Sequence, residues 1–235
     1  MKVVVLQPSY IPWRGYFDQI NRADVFVFYD DIQYDKHGWR NRNQIKTVQG
    51  KQWLTIPVHS HGATSGMLIK EARIDWVKPW AKTHLKTLAF AYAKAPYFKR
   101  YSGLLESLFQ RQDEFLADFT IHLSIALARE LGITHTRFMR SSEMAGLSGG
   151  KTDRLLQVLT RVGATHYISG PSAAVYLEGD KLTAAGITFE YMRYDYQEYP
   201  QLYPPYDPYV SILDLLFMAG PEALSYVTQQ KEVKL

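Results

Sequence analysis

Two short apolar runs, KVVVL at 2–6 and VFVFY at 25–29, enclose a helical stretch within the first thirty residues. Both runs are continuous rather than alternating, as in strands buried on both faces. Between them, Phe17, Ile20 and Ala23 recur at helical spacing over Tyr16 to Ala23. Strand, loop, helix and strand in so short a span is a βαβ unit. Its two strands lie side by side and parallel, and a parallel sheet takes helices on its faces.

The remaining chain extends this plan with an interruption. NQIKTV and KQWLTIPV, joined by Gln-Gly, are expected to form an antiparallel hairpin, with a Gly-rich turn over Gly62 to Gly66 and a third strand over Met67 to Asp75. Helices are expected over Trp80 to Ala93, Tyr101 to Gln110 and Glu114 to Leu131, the last closed by Gly132. The α/β alternation then resumes. Thr136 to Arg140, His166 to Ser169 and Thr188 to Met192 read as strands, Lys151 to Val162 as a helix, and Ala173 to Ala185 as short helical pieces. Ser211 is placed to cap a helix over Ile212 to Met218, and Pro221 opens another. The expected fold is α/β: a mostly parallel, Rossmann-like sheet with helices on both faces, plus an inserted hairpin and helical section at about 42–132 of one domain spanning 1–235.

Composition narrows the function classes. The 235 residues lack cysteine, which excludes disulfides, thiolate metal sites and a thiol nucleophile. No apolar run nears the roughly 20 residues that span a bilayer, and the first run is too short for a signal peptide. A cytoplasmic location is the simplest expectation. A net charge of +4 suits small anionic ligands and makes nucleic acid an unlikely partner. The seven histidines show no metal-binding spacing; His59 and His61 stand two apart in a turn without acids, and His122 reads as a core or interface residue. Seventeen Tyr and five Trp, many beside Pro or Arg, suit either a Tyr-rich core rim or a cleft lined by flat rings.

Ligands of open parallel sheets bind beyond the carboxyl ends of the strands. The loops that follow the expected strands are QPSYIPWRGYF, DDIQYDKHGWRNRNQIK, SSEMAGLSGGKTD, SGPSAAVY and DYQEYPQLYPPYDPY, and they carry most of the unusual polar chemistry. In the second, Arg40 and Arg42 offer forked donors for phosphate or carboxylate. If extended, 40 and 42 share a face and form a clamp; alternatively they pair with Asp30, Asp31 and Asp35. Asp30, Asp31 and His37 are the candidates for proton transfer, with turn formation as the plainer role of the two acids. Gln7, Tyr10, Trp13 and Tyr16 leave the first strand where a ring or sugar would stack, without the Gly-rich dinucleotide fingerprint. Ser148 to Asp153, SGGKTD, opens a helix in the manner of a phosphate loop, but its place far from the first strand favours an ordinary helix start. Tyr199, Gln201, Tyr203 and Tyr206 are expected to form a lid over a ligand, an arm packed on the domain or on a second subunit, or both at once.

Taken in order, LQPSYIPWRGYFDQINRADVFVFYDDIQYDKHGWRNRNQIKT, WLTIPV, HLKTLAFAYAKAPYF, ATHYISGPSAAVYL and YPQLYPPYDPYVSILDLLFMAG resemble the WbqC-like protein family, with WRNRNQIK the most distinctive piece. The resemblance implies an association with bacterial surface polysaccharide and other glycan or natural-product assembly. The positions it singles out are Gln7, Trp39, Asn41, Arg42, Asn43, Ser169, Gly170, Tyr176, Gln201 and Asp214. It suggests a transferase, acyl or aminoacyl, acting on a nucleotide- or carrier-linked sugar or amino sugar. Two alternatives stand beside it: an ATP-dependent adenylating or nucleotidyl enzyme using Ser148–Asp153, and a non-enzymatic module for a glycan or biosynthetic partner. A homodimer is compatible with all three, and no cofactor is specified.

Overall fold

The computed structural model describes residues 1–59 and 66–228. His61 and positions 62–65 of the expected turn lie outside them. In chain order the α/β part opens with β1 (Lys2–Leu6), α1 (Arg14–Arg22) and β2 (Val25–Phe28). The hairpin β3 (Arg42–Thr47) and β4 (Gly50–Thr55) follows, then α2 (Trp80–Tyr92), α3 (Phe98–Phe109) and α4 (Leu116–Glu130). The α/β part resumes with β5 (Arg137–Arg140), α5 (Lys151–Val162), β6 (His166–Ser169), α6 (Gly179–Ala184) and β7 (Thr188–Tyr191), and ends with α7 (Ile212–Ala219) and α8 (Ala223–Thr228).

Five strands form one parallel sheet in the order β5-β2-β1-β6-β7, with Val4 opposite Phe26 on one side and Ile168 on the other. Side chains alternate between the faces. Val4, Phe26, Phe28 and Ile168 enter a large core with α1, α2, α3, α4 and α7. Val3, Val5, Val25 and Val27 enter a second core with Leu155, Val158 and Leu159 of α5 and Leu182 of α6. Val3 and Val4 are completely buried, each contributing roughly 1.5–3 kcal/mol. This double coverage is why the strands read as unbroken apolar runs. Gly163, left-handed at φ 74°, ends α5 as a residue without Cβ can.

The segment Met67 to Asp75 is not a third strand of the hairpin sheet, which has two strands. It holds a 3-10 turn at Ile69–Glu71 and three isolated bridges: Gln33 with Leu68, Val58 with Ile74, and Arg73 with Phe115. Its alternation serves three separate partners, so no ladder forms. His122 is exposed on α4, so it is not a core residue. No helix among the described residues is long and apolar enough to cross a membrane.

Candidate functional site

The sheet order sets the location. From β1 the chain steps to β2 and β5 on one side, then to β6 and β7 on the other. The reversal falls between β1 and β6, where the loops at the carboxyl ends diverge and leave a crevice. A cavity of about 400 Å³ opens there. Leu6, Ser9, Pro12, Trp13, Tyr16 and Gln19 line it from β1, its loop and α1. The loop after β2 supplies Trp39 and Arg40, and the start of β3 supplies Asn43. Gly170, Pro171 and Ser172 follow β6, Tyr194 follows β7, and Tyr209 closes the wall. Four of the five expected loops therefore converge on one space. The loop after β5 does not line it.

Arg40 is the charged residue of this lining. It is only 8% exposed. One guanidinium nitrogen donates to the Pro8 carbonyl at 3.3 Å, and Nε is buried without a partner. No ion pair joins it to a carboxylate among the described residues; Tyr16, Asp35 and Tyr34 act on it only at a distance. Burial pulls its pKa down from the ordinary value, yet a guanidinium stays protonated at any physiological pH. The head of α1 lies on the same wall through Pro12 and Trp13. Its first turn carries neither a side-chain cap nor an acidic residue, and the Tyr16 amide there donates to the Trp13 carbonyl at 3.0 Å.

Aromatic rings form the walls. The Trp13 indole lies over Gly15, where a Cβ would come within 2.4 Å of the ring. It meets Tyr194 edge-on at 4.9 Å and Tyr209 at 5.6 Å between centroids. Trp39, 45% exposed, rests on Trp53 at 5.4 Å. Gln19 donates to the Tyr194 hydroxyl at 3.1 Å. Burial first, then the Asp18 carboxylate, pushes the Tyr194 phenol up to about 12, with Arg22 acting weakly the other way. Tyr194 is thus a neutral donor.

Asn43 shapes the floor. Its amide donates to the carbonyls of Tyr10 and Ile11, both at 3.0 Å. Ile11 has φ 37°, a left-handed value that a β-branched residue rarely adopts. Such strain persists only where surrounding bonds hold it.

Other expected site residues sit elsewhere. Arg40 and Arg42 do not make a clamp, because extended geometry begins only at Arg42. Arg42 stacks at 4.4 Å on Trp53 and donates to the His37 carbonyl, behind Trp39 rather than in the cavity. Asp30 is completely buried and accepts from Arg140 at 2.7 Å and from Ser142 Oγ at 2.8 Å. Asp31 accepts from Ser141 at 2.6 Å and Arg154 at 2.5 Å. Both carboxylates join β2 to β5 and α5 rather than lining the cavity, and the His37 residue is exposed. Tyr10 is a core residue whose hydroxyl meets His84 Nδ1 at 2.8 Å. Asn41 bonds the Ile56 carbonyl at 2.8 Å, and Gln7 is half-buried beside the crevice, outside its lining. Of the residues after β6, Gly170 lines the cavity, Ser169 bonds the Tyr167 hydroxyl, and Tyr176 stands under Lys151 at 5.2 Å.

The Tyr/Pro segment is an arm, not a free lid. Gln201 accepts from Lys46 at 2.7 Å and donates to Asp214 at 3.0 Å, while Tyr92 and Tyr199 each donate to Asp214 at 2.8 Å. Arg14 holds the Tyr206 hydroxyl at 2.7 Å. At Ser148–Asp153, the Gln157 amide closes on both backbone groups of Ser148, and Asp153 Oδ2 comes near Gly150 at the helix start. Asp153 itself is ion-paired with Lys181 of α6 at 2.7 Å.

Sequence reasoning missed Gln19, Ser172, Tyr194 and Tyr209 as lining residues. Ser172 and Tyr209 lay inside the loops that the strand pattern singled out, and Tyr194 immediately before the last of them. Gln19 had no signal of its own beyond a polar side chain on a short helix.

Fold and crevice together define a parallel α/β protein with a ligand-sized pocket at its topological switch point. Within that class, the chain belongs to the WbqC-like protein family, whose model matches residues 7–226. It is 42% identical over 228 residues to "Uncharacterized protein Rv1507c" of Mycobacterium tuberculosis, across 96% of this chain and 97% of that protein. No solved structure matches it.

Proposed function

We propose that the crevice binds a nucleotide- or carrier-linked sugar or amino-sugar intermediate, and that the protein acts on it as a transferase in bacterial glycan or natural-product assembly. The observation that carries this reading is Arg40, a buried cation on the wall of a ligand-sized cavity with no carboxylate partner among the described residues. A phosphate linking a sugar to its nucleotide or carrier would complete the charge. Trp13, Trp39 and Tyr209 offer flat surfaces to a sugar or base.

Asp30, Asp31 and His37 do not line the cavity, so the reading gives the protein a different catalytic contribution. It holds donor and acceptor together and neutralises phosphate charge, for an acyl or aminoacyl transfer driven by an activated donor. Approximation alone is worth up to roughly 7–11 kcal/mol of barrier. One feature favours a second reading: no carboxylate or imidazole is among the lining residues, which suits a module that binds such a compound without converting it.

A thermal-shift screen of nucleotide- and carrier-linked sugars tests both. A true ligand at about 100 times its Kd should raise Tm by roughly 5–10 °C, and Arg40→Gln should lose the shift. If no such compound stabilises the protein well above micromolar concentration, the reading is wrong. Turnover of a compound that binds separates transferase from module.

A further inference from the structure

Helix α2 turns Trp80, His84, Leu88, Ala91 and Tyr92 inward. At about 100° per residue, Lys82, Thr83, Lys86, Ala89 and Phe90 fall on the opposite arc, and all five are exposed. This outer face carries no acid. Among the described residues neither Lys82 nor Lys86 pairs with a carboxylate, whereas Lys78, just ahead of the helix, meets Asp75 at 3.5 Å. Like charges one turn apart repel. Phe90, one turn further on, is 84% exposed, and Val77, beside Lys78, is 91% exposed. The face therefore costs the isolated chain stability without any return inside the fold.

The charge is also concentrated. Residues 76–105 contain Lys78, Lys82, Lys86, Lys94, Lys99 and Arg100 and no Asp or Glu. The stretch is thus +6 in a chain whose net charge is +4, so the remainder is net negative. All six cations are exposed, the last two in the first turn of α3, which packs beside α2.

We infer that the outer face of α2 binds an anionic lipid surface, with its lysines over the headgroups and Phe90 entering the layer between them. A lysine near such a surface is attracted without needing a fixed partner. Two features favour lipid over an acidic protein. Five of the six cations are Lys, which protein interfaces deplete, and Arg, which they enrich, is absent from the α2 face. Phe90 and Val77 stand near opposite ends of α2, each beside cations, instead of forming the contiguous patch that a protein partner would cover. The inference is independent of the crevice and its ligand.

Cosedimentation of the full chain with sucrose-loaded vesicles tests it. Vesicles of phosphatidylcholine containing about one third phosphatidylglycerol should bind the protein at low salt, and pure phosphatidylcholine should bind it at least about tenfold more weakly. Binding should fall away near about 0.5 M NaCl. Lys82→Gln combined with Lys86→Gln should weaken it about tenfold or more, and Phe90→Ser about fivefold or more. These are exposed positions, so the Tm of each variant should stay close to that of the unmodified protein. Equal binding to the two kinds of vesicle, or anionic-vesicle binding that either variant retains in full, overturns the inference. Absence of binding to anionic vesicles overturns it as well. Retention of double-stranded DNA or polyglutamate at the same salt, with the vesicles left free, would give the face to a nucleic acid or an acidic protein instead.

Discussion

Burying a guanidinium beside a single long hydrogen bond costs stability, since desolvation is not repaid by a partner. Arg40 is such a group. Its removal should separate folding from function: Arg40→Met, similar in length and free of charge, should raise the Tm of the ligand-free protein by roughly 2–8 °C, equivalent to about 1–2 kcal/mol. The same variant should show no ligand-induced shift. A fall in Tm would mean that the guanidinium is a structural strut. Asn43 lies on the same wall and predicts the opposite balance. Its amide spans the Tyr10 and Ile11 carbonyls and so holds a backbone turn at φ 37°. Asn43→Ala should destabilise by about 2–3 kcal/mol in urea unfolding, and weaken ligand binding because the crevice floor relaxes. A variant with unchanged unfolding would show that the turn holds without the amide.

Helix α1 contributes its head and one face to the crevice, and Gly15 lets the Trp13 ring fold back onto it. Gly15→Ala favours the helix by up to about 1 kcal/mol, but its Cβ meets the indole at 2.4 Å. The ring must move, and the wall it forms with Tyr194 and Tyr209 must open. The expected outcome is near-native stability with ligand affinity reduced about tenfold or more, read by thermal shift and titration. Native affinity would show that Trp13 is not a binding wall. At this scale the sequence was readable wherever one period served one partner. The strands of the parallel sheet and α5 stood out for that reason, since each buries a continuous face. Met67 to Asp75 did not, because alternation reports which side chains turn inward and not which chain lies alongside. Arg40 and Arg42 looked equivalent for a similar reason. The bend that ends just before β3 sends one into the cavity and the other over Trp53.

Across the whole molecule, the site depends on segments far apart in sequence being held in register by buried polar contacts. The general location of the crevice was legible, because strand order and loop chemistry both point to the carboxyl ends of the sheet. The identity of its polar residues was not, because buried partners decide it: Asp30 and Asp31 are engaged by Arg140 and Arg154, while Arg40 has no carboxylate partner among the described residues. His84 of α2 shows how such a contact couples the inserted section to the α/β part. Its Nδ1 faces the Tyr10 hydroxyl at 2.8 Å, in the loop after β1, and its ring also bonds the backbone of Thr55 in the hairpin. Burial depresses this imidazole from 6.5 to about 4, the Thr55 contact acting weakly the other way. The native state therefore holds His84 neutral. Above pH 6.5 neither state binds the proton, and the contribution of the site to stability is complete. As pH falls from 6.5 to 4, the unfolded chain gains a proton that the native state refuses, so stability declines with pH, and below 4 the loss levels off. The total is on the order of 3 kcal/mol. Urea unfolding at pH 7 and pH 4 should show the native protein losing that much more than His84→Gln, whose amide can span the same two partners without titrating. Equal losses in the two proteins would mean that His84 is not the group that ties folding of the inserted section to pH.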